Sequence, residues 1–198
     1  MKLDCSCSYC KKRGYIWVTP KRQIWIEIPK NASANLKDNY LGKIRRVSES
    51  NLKNFSQAFF VIREPIERFQ SMISHYFVDG ARYDKGRAWL DSIGYSGLIN
   101  VNTISDVVLS NWDRIGEISE PHHWNSQLSF VPDHFWKMDF RVFDVSELPI
   151  YFGLPQKTNI SSSELIKLSD SALEKINEIY KEDIQYYNKI KFQWQTLV

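Results

Sequence analysis

Three short stretches of this chain hold residue types that can grip a small anion and move a group on it. Ile28-Pro29-Lys30-Asn31-Ala32-Ser33 sets a lysine in a tight turn, and Arg63-Glu64-Pro65-Ile66-Glu67-Arg68-Phe69-Gln70-Ser71 holds two arginines and a serine. His122-His123-Trp124 adds a pair of histidines, the side chains whose ordinary pKa suits proton transfer near neutrality. An arginine fork bonds phosphate oxygens in pairs, whereas a lysine supplies a compact charge. Ser71 stands three residues past Arg68, so a helix carries both on one face. The competing reading of the arginines is surface pairing with Glu64 and Glu67.

Such groups converge only if the fold brings their segments together. Gln23-Ile24-Trp25-Ile26-Glu27-Ile28 is a short apolar run rich in β-branched and aromatic residues between Pro20 and Pro29, and it predicts a buried strand. Residues 34–41 predict a helix stopped by Gly42, giving strand, tight loop and helix. The free N–H groups around residues 31–35 would then face an anion. Ala58-Phe59-Phe60-Val61-Ile62 predicts a second strand, with Pro65 as first residue of a helix over 66–77. Arg63 falls at that strand's carboxyl end, where open α/β sheets bind ligands. The lysine turn lacks the Gly-x-x-x-x-Gly-Lys-Ser/Thr pattern of nucleoside triphosphatases.

Residues 79–97 lack clean periodicity and read as a long excursion over the site. Further along, the pattern predicts a helix over 103–112, a strand over 138–143, and a short helix over 147–152 closed by Gly153 and Pro155. Leu173, Ile176, Tyr180, Ile184 and Tyr187 recur at helical spacing behind Ser171-x-x-Glu174, predicting one amphipathic helix to about residue 190. No internal repeat or low-complexity linker divides the chain. The expected fold class is α/β, a single three-layer, P-loop-like domain over 21–198 with a central mainly parallel sheet flanked by helices. Residues 1–20 are expected to be a loosely ordered segment.

At 198 residues, with 43% hydrophobic content, the chain can build one substantial core. Its net charge of +3 excludes a global basic field, so no nucleic-acid partner is expected and any anion site is local. Nothing resembles an apolar leader or a bilayer-spanning run, which predicts a soluble, cytoplasmic protein. Cys5, Cys7 and Cys10 could supply three zinc ligands, but a fourth is not evident nearby. Without it, a reduced, metal-free segment is the expectation.

The stretch from Val61 to Ser71 resembles the 3'-phosphate-binding motif of sulfotransferases, especially carbohydrate sulfotransferases of the chondroitin 4-O and uronyl 2-O type. Ile28-Pro29-Lys30-Asn31-Ala32-Ser33 resembles their 5'-phosphosulfate loop. His122-His123-Trp124-Asn125-Ser126-Gln127 is similar to their His-Trp segment, Phe140 to Phe152 to the strand and helix that follow it, and Lys157-Thr158-Asn159 to their late nucleotide loop. Ile179-Tyr180-Lys181-Glu182-Asp183 is similar to their closing helix, so the likeness runs from about residue 23 to 187.

The resemblance implies transfer of a sulfuryl group from PAPS (3'-phosphoadenosine 5'-phosphosulfate) to a hydroxyl or amine, with PAP as product and no metal. Lys30 would stabilise the leaving oxygen, Pro29, Lys30, Asn31, Ala32, Ser33, Ala34 and Asn35 would hold the 5' end, and Lys157 would contact the nucleotide late in the chain. Arg63 and Ser71 would grip the 3'-phosphate, which Arg68 would join unless it braces the helix. A base is needed for the acceptor proton, and His123 is favoured because it matches the family's His-Trp segment, with His75, Glu120, His122 and His134 as alternatives. Ala34 stands where the family has a hydroxyl residue, which would weaken donor binding. The family's Golgi anchor is missing, which points to a bacterial or viral cytoplasmic enzyme. Trp89, Trp112, Trp124 and Trp136 offer flat faces that lean toward a carbohydrate or glycolipid acceptor. The alternatives are a non-catalytic nucleotide- or glycan-binding module and a P-loop-type phosphotransferase.

Overall fold

The computed structural model describes residues 16–19, 21–33, 36–40, 45–46, 54–78, 80–153 and 168–195. Five strands form one sheet: β1 (Ile16–Val18), β2 (Ile24–Ile26), β3 (Arg45–Arg46), β4 (Gln57–Ile62) and β5 (Asp139–Asp144). Their order is β3-β1-β2-β4-β5. β2, β4 and β5 run parallel, while β1 lies antiparallel to both β2 and β3. The parallel part of the sheet is therefore joined to an antiparallel edge. β1 comes from the segment expected to be loose; Ile16 and Val18 are buried against β2, so the sheet takes in part of residues 1–20.

The continuous apolar run of β4 is explained by burial on both faces. Ala58, Phe60 and Ile62 join Ile24, Ile26 and Val142 on one side, where Tyr186, Tyr187 and Ile190 pack. Phe59 and Val61 join Trp25 and Phe143 on the other, against Leu36, Leu148 and Phe152. Helical residues thus cover both faces of a mixed α/β sheet.

α1 (Pro65–Ile73) starts as its sequence predicts, with Pro65 in the first turn and the Glu64 carboxylate accepting from the Glu67 N–H. It ends four residues earlier than predicted, passing into a wide π turn over Ser74–Val78. α2 (Tyr83–Ser92) corrects the reading of residues 79–97 as an excursion. Its signal is masked by Gly86 at mid-helix, but that glycine has a packing reason: a Cβ there would lie 1.9 Å from the Tyr76 carbonyl oxygen. Trp89 and Leu90 anchor the helix in a second core with Phe69, Met72, Tyr76 and Trp124.

α3 (Val101–Ser110) is capped by Asn100 and starts two residues before its predicted position. α4 (Leu148–Phe152) ends at Gly153, whose φ of 61° provides the left-handed terminus. The single long helix predicted behind Ser171 is two: α5 (Asp170–Ile179), capped by Ser169 rather than Ser171, and α6 (Lys181–Gln195). The break falls at Tyr180, whose hydroxyl donates to the Trp124 carbonyl at 2.9 Å. Among the described residues no helix is long and apolar enough to cross a membrane.

Candidate functional site

The lysine turn leaves β2 with its backbone bent into the left-handed region twice. Lys30 has φ 70° and Ala32 φ 58°, and neither is glycine. Such residues cost on the order of 1–3 kcal/mol each and persist only where the surroundings over-determine them. Asn31, between them, does that: it is 1% exposed, and its Nδ2 donates to the Val61 carbonyl at 2.8 Å and to Gln127 Oε1 at 2.6 Å. Successive N–H groups in a turn of this kind form a concave cradle for an anion. Burial lowers the Lys30 pKa to about 8, and the positive charges of Arg63 and Arg68 add to the effect.

Arg63 follows β4 as predicted, beside the Lys30 corner, because β2 and β4 are parallel neighbours. Its backbone is clamped at both ends by one side chain: the Arg63 N–H donates to Gln127 Oε1 at 3.0 Å, and Gln127 Nε2 donates to the Arg63 carbonyl at 2.8 Å. Gln127 thereby ties both βα corners together. Its own backbone N–H donates to Asp183 Oδ2 at 2.6 Å, and the same buried carboxylate accepts from Ser126 Oγ and the Leu128 N–H. The Arg63 guanidinium is half-buried, with Nε 3.5 Å from Glu67 Oε2. At 3.5 Å the pair is too long for a good hydrogen bond and its Glu67 end is exposed, so an anion can compete with it.

Of the two roles expected for Arg68, the structure favours the brace, because the side chain faces inward. It is 1% exposed, and its guanidinium donates to three backbone carbonyls: Pro29 at 3.2 Å, Asn125 at 2.9 Å and His123 at 3.0 Å. A fork whose Nε, Nη1 and Nη2 each donate to a carbonyl braces the segments it joins. Burial lowers its pKa. Pro29 thus contributes its carbonyl to the brace, and Ser71, on the same helix, is half-buried.

The brace also fixes the segment carrying the histidines. Glu120 holds φ 65° and turns the chain into a 3-10 turn over Pro121–Trp124. Burial would raise the Glu120 carboxyl, but bonds from Arg82 (2.7 Å) and Lys85 (3.2 Å) outweigh it and hold its pKa below the ordinary value. The rings of His75 and His122 lie 6.1 Å and 4.3 Å from that of His123. Burial lowers all three, His75 and His122 to about 4 and His123 to about 2; Lys30 adds to the effect on His75 and His123. The cluster is neutral at pH 7.

Lys30, Arg63 and His123 therefore occupy one region, joined by Arg68 and Gln127. Ser33 follows the left-handed Ala32 and is half-buried. Ala34, Asn35, Lys157, Cys5, Cys7, Cys10 and the side chain of His134 lie outside the described residues. Trp124 and Trp89 are core, whereas Trp136 is 38% exposed. Gln127 and Asp183 were not among the expected site residues, and no local pattern marks a glutamine as a cross-tie. Among the described residues, no group of three or more His, Cys, Asp or Glu could hold a metal ion. Compared with known proteins, the chain matches no family model, no curated protein and no solved structure.

Proposed function

We propose that this protein is a sulfotransferase that takes its sulfuryl group from PAPS and delivers it to a hydroxyl, or an amine, of a carbohydrate or glycolipid, on a three-layer, P-loop-like domain. The observation that carries the reading is the pairing of Lys30 and Arg63 at the carboxyl ends of adjacent parallel strands, locked together by Gln127 with His123 alongside. A strained cradle with a half-buried lysine and a loosely engaged arginine fits a nucleotide bearing phosphate at both ends of its ribose.

When bound, PAPS supplies an activated sulfuryl group. Arg63 holds the 3'-phosphate, and the turn from Lys30 to Ser33 holds the 5' end through backbone N–H groups. Lys30 stabilises the electron pair left on the 5'-phosphate oxygen as its bond to sulfur breaks and the acceptor oxygen forms the new one. His123 receives the hydroxyl proton, so PAP and a sulfate ester are the products and every proton is accounted for.

Thermal unfolding with PAP, together with transfer from labelled donor across an acceptor panel, tests this. A stabilising shift and a labelled product, both lost in Lys30→Ala, are expected; no shift at saturating PAP would remove the reading. The weak basicity of His123 favours a second one, a non-catalytic nucleotide-binding module. That module would show the shift without any labelled product.

A further inference from the structure

His123 does not stand alone at the site, because its ring is in contact with Tyr76. The Tyr76 hydroxyl lies 2.6 Å from His123 Nδ1, and also 3.3 Å from the Ser119 carbonyl oxygen and 3.4 Å from that of Glu120. A phenol has one proton to give, while carbonyl oxygens only accept. If that proton goes to Nδ1, the two carbonyls face a bare oxygen. If the imidazole carries its own proton on Nδ1 and donates it to the phenol, the phenol proton is released toward the carbonyls, and two protons serve all three contacts.

We infer that Tyr76 is a positioning residue: it holds His123 as the Nδ1–H tautomer and so leaves Nε2 bare as the atom that accepts a proton. Histidine in water favours the opposite tautomer, so the assignment is one the protein imposes. Burial keeps the ring singly protonated, so only one of its two nitrogens carries a proton and the contacts at Nδ1 decide which. Tyr76 itself is held rigidly. It is fully buried, its ring packs 5.5 Å from that of Trp124, and its carbonyl sits under Gly86, where no side chain intervenes. The logic is that of a base whose far nitrogen is fixed by a partner, with a phenol in place of a carboxylate.

The role of Nε2 rests on the sulfotransferase reading, whereas the tautomer does not. Long-range proton–nitrogen correlation spectra of the full chain, labelled with 15N in its histidine rings, read the tautomer directly in the resting protein. The expected result is a protonated Nδ1 and a bare Nε2 on His123, with Tyr76→Phe moving population toward Nε2–H. A wild-type ring protonated at Nε2 overturns the inference and needs no variant to fold. In transfer assays Tyr76→Phe is expected to lower kcat by at least roughly tenfold with the donor KM unchanged; an unchanged kcat would remove the positioning role. A wild-type protein that carries the Nδ1–H tautomer but transfers no sulfate would sink the sulfotransferase reading and the role of Nε2, and would leave the tautomer standing.

Discussion

Arg63 and Arg68 are five residues apart on one motif, yet Arg68 bonds three backbone carbonyls whereas Arg63 is the proposed phosphate ligand, and a stability measurement without ligand separates them. Replacing Arg68 by methionine keeps most of the side-chain volume but strips donors from the carbonyls of Pro29, Asn125 and His123. Bonds to a charged donor contribute more than ~1 kcal/mol each, but removing the guanidinium also relieves the cost of burying it. Counting ~1 kcal/mol for each stranded carbonyl gives a net loss of about 3 kcal/mol. For a chain of this size that corresponds to a fall in Tm of roughly 6–12 °C. Arg63→Met, which removes a long, part-exposed i,i+4 pair with Glu67, should cost less than about 1 kcal/mol. Calorimetry on the two variants without nucleotide makes the comparison. Equal losses, or an Arg68→Met protein as stable as the parent, would refute the bracing role and return Arg68 to the ligand set.

The remaining expectations concern protonation and packing. Because the Lys30 pKa is about 8, the cation proposed to stabilise the leaving oxygen is lost as pH rises through that value, so transfer should decline above pH 8; Lys30→Arg should erase that limb, and a limb that stays put assigns it to another group. The three histidines have pKa values below the ordinary 6.5, so the unfolded chain binds more protons than the native one, and stability should fall as pH drops from 6.5 toward 4. His123 contributes at most ~1.4 kcal/mol per pH unit and the more exposed pair less; urea unfolding at a series of pH values that shows a flat profile would contradict it. Gly86→Ala should destabilise by about 1–3 kcal/mol through collision with the Tyr76 carbonyl, and an unchanged urea midpoint would mean that α2 does not pack so closely. Gln127→Leu strands the Arg63 N–H and carbonyl, and titration calorimetry with PAP should show at least roughly tenfold weaker binding, the equivalent of one lost hydrogen bond; undiminished affinity would show that the corners hold without the tie.

The two βα corners were legible because each is written locally, as an apolar strand, a proline and a cation in a few consecutive residues. Even the inward turn of Arg68 had a signal. Pro65, Phe69, Met72 and Ile73 form the buried stripe of α1, and position 68 lies within it. A charge on an apolar stripe needs partners, and three carbonyls provide them. Gln127 had no such signal, since its bonds reach residues 96 and 64 positions away and depend on how β2 and β4 pair. The split of the last helix was hidden for a related reason: its periodicity runs on through Tyr180, and the break answers to Trp124, 56 residues earlier. α2 was missed because Gly86 and a run of charges weaken the helical pattern at the point where close approach demands a glycine.

The long reach of the Gln127 cross-tie also sets an order on how the protein is born. Lys30 and Arg63 leave the ribosome early, but the amide that joins their turns follows about a third of the chain later, and the carboxylate that steadies it, Asp183, comes later still. Until then Asn31 has no Gln127 to bond and the two left-handed residues beside it lack half of their support. A growing chain therefore carries both turns without being able to lock them together, and the pair is completed only once synthesis has passed α6's first turn.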